Sequence, residues 1–140
     1  MSKIRRLEIP KHFIDLIVKT ALKTEIEICG LLLGKIINQT AIVKELSFGR
    51  NIKKSPILFE IASEDIYRIL TYAERKGLEV VGMFHSHPAN PYPSQRDLRF
   101  MKLWPIPWLI VSSITGDFDC YAYDSEEKRI YKVKIKAISF

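Results

Sequence analysis

Cysteine is scarce in this sequence. Cys29 and Cys120 are the only two among 140 residues, and neither belongs to a Cys-x-x-Cys pair, which excludes a disulfide framework. Both are expected to be reduced and buried. Long apolar runs are missing too. Nothing approaches the ~18 consecutive apolar residues of a membrane span, and the opening Met-Ser-Lys-Ile-Arg-Arg is followed by no apolar stretch of the kind a signal peptide needs. Neither a membrane segment nor a membrane partner is expected, and a cytoplasmic location is. Low-complexity tracts, internal repeats and linkers are absent, and 47% of the residues are hydrophobic. The expectation is therefore one globular domain over residues 1–140. Acidic residues are the minority, 16 against 22 basic, which gives a net charge of +6 and a pI near 9.3. The basic residues are dispersed, with Arg5-Arg6, Lys53-Lys54 and the alternating Lys132, Lys134 and Lys136 as the nearest approach to clusters. No recognition helix or aromatic-basic interleave accompanies them, so nucleic acid is not expected as a partner. An acidic partner is the remaining reading of the charge.

What is present is an alternation of short apolar runs and amphipathic stretches. Ile4 to Ile9 alternates loosely, as a short edge strand would. Pro10 suits the start of a helix, and Phe13, Ile14, Leu16, Ile17, Val18, Ala21 and Leu22 follow at helical spacing over about 11–22. Ile28 to Gly34 is a continuous apolar run, as in a strand buried on both faces. Asn38-Gln39 turns the chain into a second strand over 41–48, and a polar loop, 49–56, leads to a strand over 57–61. Ser63 is placed to cap a helix with Glu64 and Asp65 in its first turn. Ile66, Ile69, Leu70 and Ala73 form its apolar face, and Gly77 ends it. A strand over 79–84, a helix over 95–102 and strands over 108–113, 118–123 and 130–136 complete the pattern. Strands mixed with three helices predict an α/β fold, a mixed sheet flanked by helices.

The chemistry concentrates between His85 and Asp97, in the stretch His-Ser-His-Pro-Ala-Asn-Pro-Tyr-Pro-Ser-Gln-Arg-Asp. At the end of a strand, residues two apart point the same way, so His85 and His87 present both imidazoles to one side. Two imidazoles followed by a carboxylate suit a zinc site with three protein ligands and one open position. Pro88, Pro91 and Pro93 keep the connection extended, and a helix can begin at Ser94 with Asp97 in its first turn. Ser94-x-x-Asp97 is equally a helix-capping pattern that needs no chemistry. Ser86 should face the other side of the strand and be structural, and His12 should lie on the surface.

His-Ser-His-Pro followed by Pro-Ser-x-x-Asp resembles the metal-binding motif of the JAMM (MPN-plus) metalloproteases. The spacing differs by one residue: nine separate His87 from Asp97, where the family usually has ten. Glu27-Ile28-Cys29-Gly30-Leu31-Leu32-Leu33-Gly34 resembles the family's Glu-x-Cys-Gly-Leu-Leu-Leu-Gly. The resemblance covers nearly the whole chain and implies a cytidine-deaminase-like sheet, one Zn2+ held by His85, His87 and Asp97, Glu27 as general base, and Ser94 as a donor to the oxyanion. Glu25, two residues from Glu27, is the fallback base. Read without the resemblance, both glutamates are solvated charges ahead of a buried strand.

The family cleaves isopeptide or peptide bonds after the C-terminal tail of ubiquitin or a ubiquitin-like protein. Larger members carry an insertion between the metal-binding aspartate and the next strand; only ten residues separate Asp97 from Trp108 here, as in the minimal prokaryotic and archaeal type. The resemblance thus implies a zinc isopeptidase acting on ubiquitin-like conjugates, as a monomer or homodimer. One alternative is processing of a sulfur-carrier protein's C-terminus at the same site. Another is a non-catalytic MPN scaffold, although such members typically lack one or more ligands. The tail is expected beside the strand over 57–61, with Arg50, Lys53, Lys54 and Phe59 contacting the modifier.

Overall fold

The computed structural model describes residues 3–54 and 60–140. Its strands are β1 (Arg6–Pro10), β2 (Cys29–Ile37), β3 (Thr40–Gly49), β4 (Glu79–His87), β5 (Trp108–Ser112), β6 (Phe118–Asp124), β7 (Arg129–Lys132) and β8 (Lys134–Ile138), with helices α1 (Lys11–Lys23), α2 (Ser63–Lys76) and α3 (Gln95–Leu103) between them. The strands form one mixed sheet in the order β7-β6-β5-β4-β2-β3-β1-β8. The α/β class and the three helices expected from periodicity are those observed.

Alternation along each strand divides the side chains between two cores. Leu7, Ile9, Leu32, Ala41, Val43, Val81, Phe84, Leu109 and Val111 point inward and pack on Ile14, Ile17 and Ala21 of α1. Cys29, Leu31, Leu33, Met83, Trp108 and Ile110 point outward beneath Ile69 and Ala73 of α2 and Met101 of α3. β2 therefore reads as a continuous apolar run because both of its faces are covered. Cys29 and Cys120 are free thiols and buried, as expected, and His12 is exposed.

Three expectations need correction. β1 is not an edge strand: it pairs in parallel with β3 on one side and β8 on the other. The strand expected over 130–136 is two strands, broken at buried Val133. β7 and β8 stand at opposite ends of the sheet order yet only Val133 separates them, so the sheet curls until its ends nearly meet. The Val133 N–H donates to the Cys120 carbonyl at 2.9 Å and the Lys134 N–H to the Arg5 carbonyl at 2.9 Å, which holds that seam. Finally, Ser63 does not cap α2. The capping position is Ala62, with no side-chain bond, and Asp65 is instead tied back to Arg50. The strand expected over 57–61 lies largely outside the described residues; Ile61 makes one antiparallel bridge with Asn51.

Candidate active site

β4 runs through both histidines to His87, three residues beyond the apolar run that signals it. Met83, His85 and His87 alternate onto the outward face, and Cys29 of β2 is the register partner of His85. His85 is completely buried, edge-on to Trp108 with ring centroids 5.8 Å apart. Glu27, two residues ahead of β2, is also buried and brings Oε1 to 2.9 Å from His85 Nδ1. Asp97, in the first turn of α3, places Oδ1 3.2 Å from His85 Nε2 and Oδ2 4.0 Å from His87 Nε2. Residues far apart in the chain, Glu27, His85, His87 and Asp97, thus form one buried cluster. Glu25 is exposed and makes no part of it.

Local structure explains why these side chains meet. Ser94 and Asp97 form a reciprocal capping box at the start of α3. The Asp97 N–H donates to Ser94 Oγ at 3.1 Å, and the Ser94 N–H donates to Asp97 Oδ2 at 2.9 Å. The cap therefore aims the carboxylate at the histidines, and the serine hydroxyl keeps its proton for another acceptor. Ser86 faces inward, as expected, and its Oγ accepts from the Ile28 N–H at 2.9 Å. That bond pins the chain one residue after Glu27.

Sequence reasoning missed Asn51. Its Nδ2 donates to the Glu27 carbonyl at 2.9 Å, while its Oδ1 accepts from the N–H groups of Lys53 and Glu60 at 3.0 and 3.1 Å. One side chain thereby joins the segment carrying Glu27 to the polar loop. The signal available was an Asx turn, which any loop asparagine can make. Trp108 was read only as the start of a strand, yet it also lines an apolar cavity of about 210 Å3 with Leu31, Ile61, Ile66, Met83, Phe100 and Trp104.

Burial and charge set the protonation of the cluster. Burial raises the Glu27 carboxyl above its usual range, and His85 offsets this only in part. Burial also acts against Asp97, but the His85 hydrogen bond and charge and the Ser94 donors outweigh it and hold Asp97 low. For His85, burial disfavours the cation, and Asp97 and Glu27 together overcome it, to about 9. The Cys29 thiol is pushed up to about 12, chiefly by burial, so it stays protonated and is no nucleophile.

The residues expected to touch substrate are more scattered. Arg50 is engaged with α2: its guanidinium lies 3.0 Å from Asp65 and 3.1 Å from Glu64. Lys53 Nζ is 3.8 Å from Glu60, and Lys54 is exposed with φ of +47°. Phe59 lies outside the described residues.

The family model described as prokaryotic homologs of the JAB domain matches residues 10–125. This chain belongs to that family. Relatives of the JAB-family chain include a protein named desampylase from Pyrococcus furiosus, 42% identical over 130 residues, covering 92% of this chain and 89% of that protein. A second desampylase, from Haloferax volcanii, is 30% identical over 112 residues, covering 79% and 78%. The solution structure of a protein from Desulfitobacterium hafniense superposes with a TM-score of 0.82 over 96% of this chain and 94% of that one. At 22% identity it shares the fold.

Whether the JAB-family cluster suits a metal can be judged from its own atoms. Among the described residues no three His, Cys, Asp or Glu side chains stand in ligand geometry, because both nitrogens of His85 are turned onto carboxylates. Part of the spacing is nevertheless that of a shared ion. Donors at ~2.0–2.1 Å from a tetrahedral zinc stand about 3.3 Å from one another; His85 Nε2 is 3.2 Å from Asp97 Oδ1, whereas His87 Nε2 is 4.0 Å from Oδ2 and 3.0 Å from the Tyr92 carbonyl oxygen. His87 Nδ1 and Glu27 Oε2 are buried without a hydrogen-bond partner, an arrangement that costs about 1–3 kcal/mol per group unless something binds there. Two imidazoles and a carboxylate fit a zinc ion.

Proposed function

We propose that this chain is a zinc-dependent hydrolase that cleaves the bond after the C-terminal tail of a ubiquitin-like modifier, releasing it from conjugates. The observation carrying the proposal is the gathering of Glu27, His85, His87 and Asp97 into one buried cluster, with His85 edge-on to Trp108, a wall of the apolar cavity. The likeness to two desampylases supports the substrate class.

His85, His87 and Asp97 would hold the metal, which lowers the pKa of a bound water toward ~7 and polarises a carbonyl. Glu27 is the general base. Its burial already favours the protonated form, so it can take a proton and release it to the leaving amine. Oε2 is the oxygen suited to that exchange, since Oε1 is held by His85. The Ser94 hydroxyl accepts from Asp97 N–H in the cap and donates to the developing oxyanion. An apolar side chain upstream of the scissile bond fits the cavity walled by Met83, Phe100, Trp104 and Trp108. The polar loop, with Lys53 and Lys54, would face the body of the modifier, and Arg50 would keep that loop anchored to α2.

Metal analysis together with a cleavage assay on a ubiquitin-like conjugate tests the proposal. About one zinc per chain is expected, with cleavage lost on chelation and restored by zinc. Protein that takes up no zinc on titration, or that cleaves equally well after chelation, would overturn it.

A further inference from the structure

A second surface emerges once the dispersed basic residues are placed on the sheet. β2, β3, β1 and β8 lie side by side, and their outward side chains continue the face that carries the cluster. From Cys29 to Lys35 the distance along β2 is about 20 Å at ~3.3 Å per residue. Beyond α2 this face is bare among the described residues: the outer core contains no residue of β1 or β8. Register fixes its pattern. Arg6 stands between Thr40 and Lys134, Glu8 stands between Ile42 and Lys136, and Lys35 pairs with Ile42 on its other side. Lys44 projects from the bulge where Gly34 follows Leu33.

Arg6, Lys35, Lys44, Lys134 and Lys136 are all exposed, and Glu8 and Glu45 are the carboxylates among them, Glu45 accepting from the Tyr72 hydroxyl of α2. None of the four lysines is in an ion pair among the described residues, and Arg6 Nε donates to Thr40 Oγ1 at 2.9 Å. With five cations against two carboxylates, this one face carries a net +3, half of the chain's net charge of +6. Arg6 and Lys134 are direct register partners, and like charges opposite one another destabilise a sheet. Lysines guard exposed sheet edges against aggregation, but Arg6, Lys35 and Lys44 stand on interior strands, where no edge needs guarding. A local rule broken without structural gain marks a surface kept for another purpose.

The face also indicates the kind of partner. Apolar side chains are interleaved with the charges, half-buried Ile42 between Lys35 and Glu8 and Ile37, 55% exposed, at the end of β2 beside Thr40, a mixture that suits a protein partner. Among the described residues no aromatic side chain of β2, β3, β1 or β8 stands on it to stack a base, and no helix projects from it to enter a groove. We propose that the outward face of β2, β3, β1 and β8 docks an acidic protein surface, with carboxylates meeting Arg6, Lys35, Lys44, Lys134 and Lys136 and an apolar side chain meeting Ile37 and Ile42.

The test uses fluorescence anisotropy with a labelled Asp/Glu-rich peptide containing interspersed leucines, and a single-stranded RNA oligonucleotide of equal length as the competing class. The wild-type chain should bind the peptide, with affinity that falls as salt rises. Lys35→Glu combined with Lys134→Glu should weaken that binding about tenfold or more. Lys19→Glu combined with Lys23→Glu alters the net charge equally, on exposed positions of α1, and should leave it within about twofold. Lys134→Glu alone should raise the thermal midpoint, since Arg6 gains an opposite charge in register; weaker binding by a more stable protein excludes misfolding as its cause. An equal loss in both double variants would reduce the effect to overall charge and overturn the proposal. So would no binding of the peptide, or RNA binding abolished by the face variant while peptide binding persists. None of these readouts involves zinc or cleavage, so they stand or fall apart from the hydrolase reading.

Discussion

Glu27, the proposed base, has its backbone held by a residue of another kind, Asn51. Glu27→Gln keeps the shape and a hydrogen bond to His85 but cannot take a proton; it should retain zinc and lower kcat on the order of 10²-fold or more, as read by metal analysis beside the cleavage assay. Asn51→Ala removes the donor to the Glu27 carbonyl and the acceptor for two N–H groups. It should cost about 1–3 kcal/mol in urea unfolding. Asn51→Asp keeps the acceptor but sets a carboxylate oxygen against the Glu27 carbonyl, so it should recover only part of that stability, with kcat lowered and KM little changed. If Asn51→Asp is as active as wild type, the bond to Glu27 does not position the base. The histidines, the capping box and the inward-facing Ser86 were legible in the sequence because strand alternation and capping are local rules. Asn51 was not, since its meaning depends on Glu27, 24 residues away.

At the scale of elements, the strand ladder depends on glycine where strands approach closely, most tightly at Gly34. A Cβ added at Gly34 would stand 1.8 Å from the Ile42 carbonyl oxygen at the β2–β3 bulge, whereas one at Gly77 would meet nothing within 4 Å. Gly77 ends α2 with φ of +68°, so Gly77→Ala should cost only about 1 kcal/mol of backbone strain. Gly34→Ala, which forces two backbones apart, should cost about 3 kcal/mol or more in the same denaturation experiment. α2 adds a pH dependence. The hydrogen bonds from Arg50 hold Asp65 below the usual carboxylate range. The stabilisation is therefore complete above the unfolded value of ~3.9 and lost as pH falls through the folded one. On acidification the thermal midpoint of wild type should fall more steeply than that of Asp65→Asn. That Asp65 would bind Arg50 rather than simply favour a helix start was illegible, as was the place of β1, because both depend on partners far along the chain. Alternation says which face of a strand is buried but not which strands lie beside it.

Over the whole molecule, both thiols lie in the packed cores, and burial pushes them upward, Cys29 to about 12 and Cys120 beyond. Neither should react with a disulfide reagent at neutral pH in the native state, and both should react once the chain unfolds. The labelling rate then reports unfolding of the whole curled sheet; rapid labelling of one cysteine in native buffer would reveal a locally open strand instead. The pairing of β1 with β8 has one more consequence, in mechanics. The strands run parallel over five register pairs, Arg6 with Lys134 through Pro10 with Ile138. A pull applied ahead of β1 and behind β8 draws them past each other lengthwise, loading the ladder in shear rather than peeling it pair by pair. Stretched from its two ends, the protein should resist to high force and then rupture in one step, while a pull that enters ahead of β1 and ahead of β8, at the same end of the ladder, should open it pair by pair.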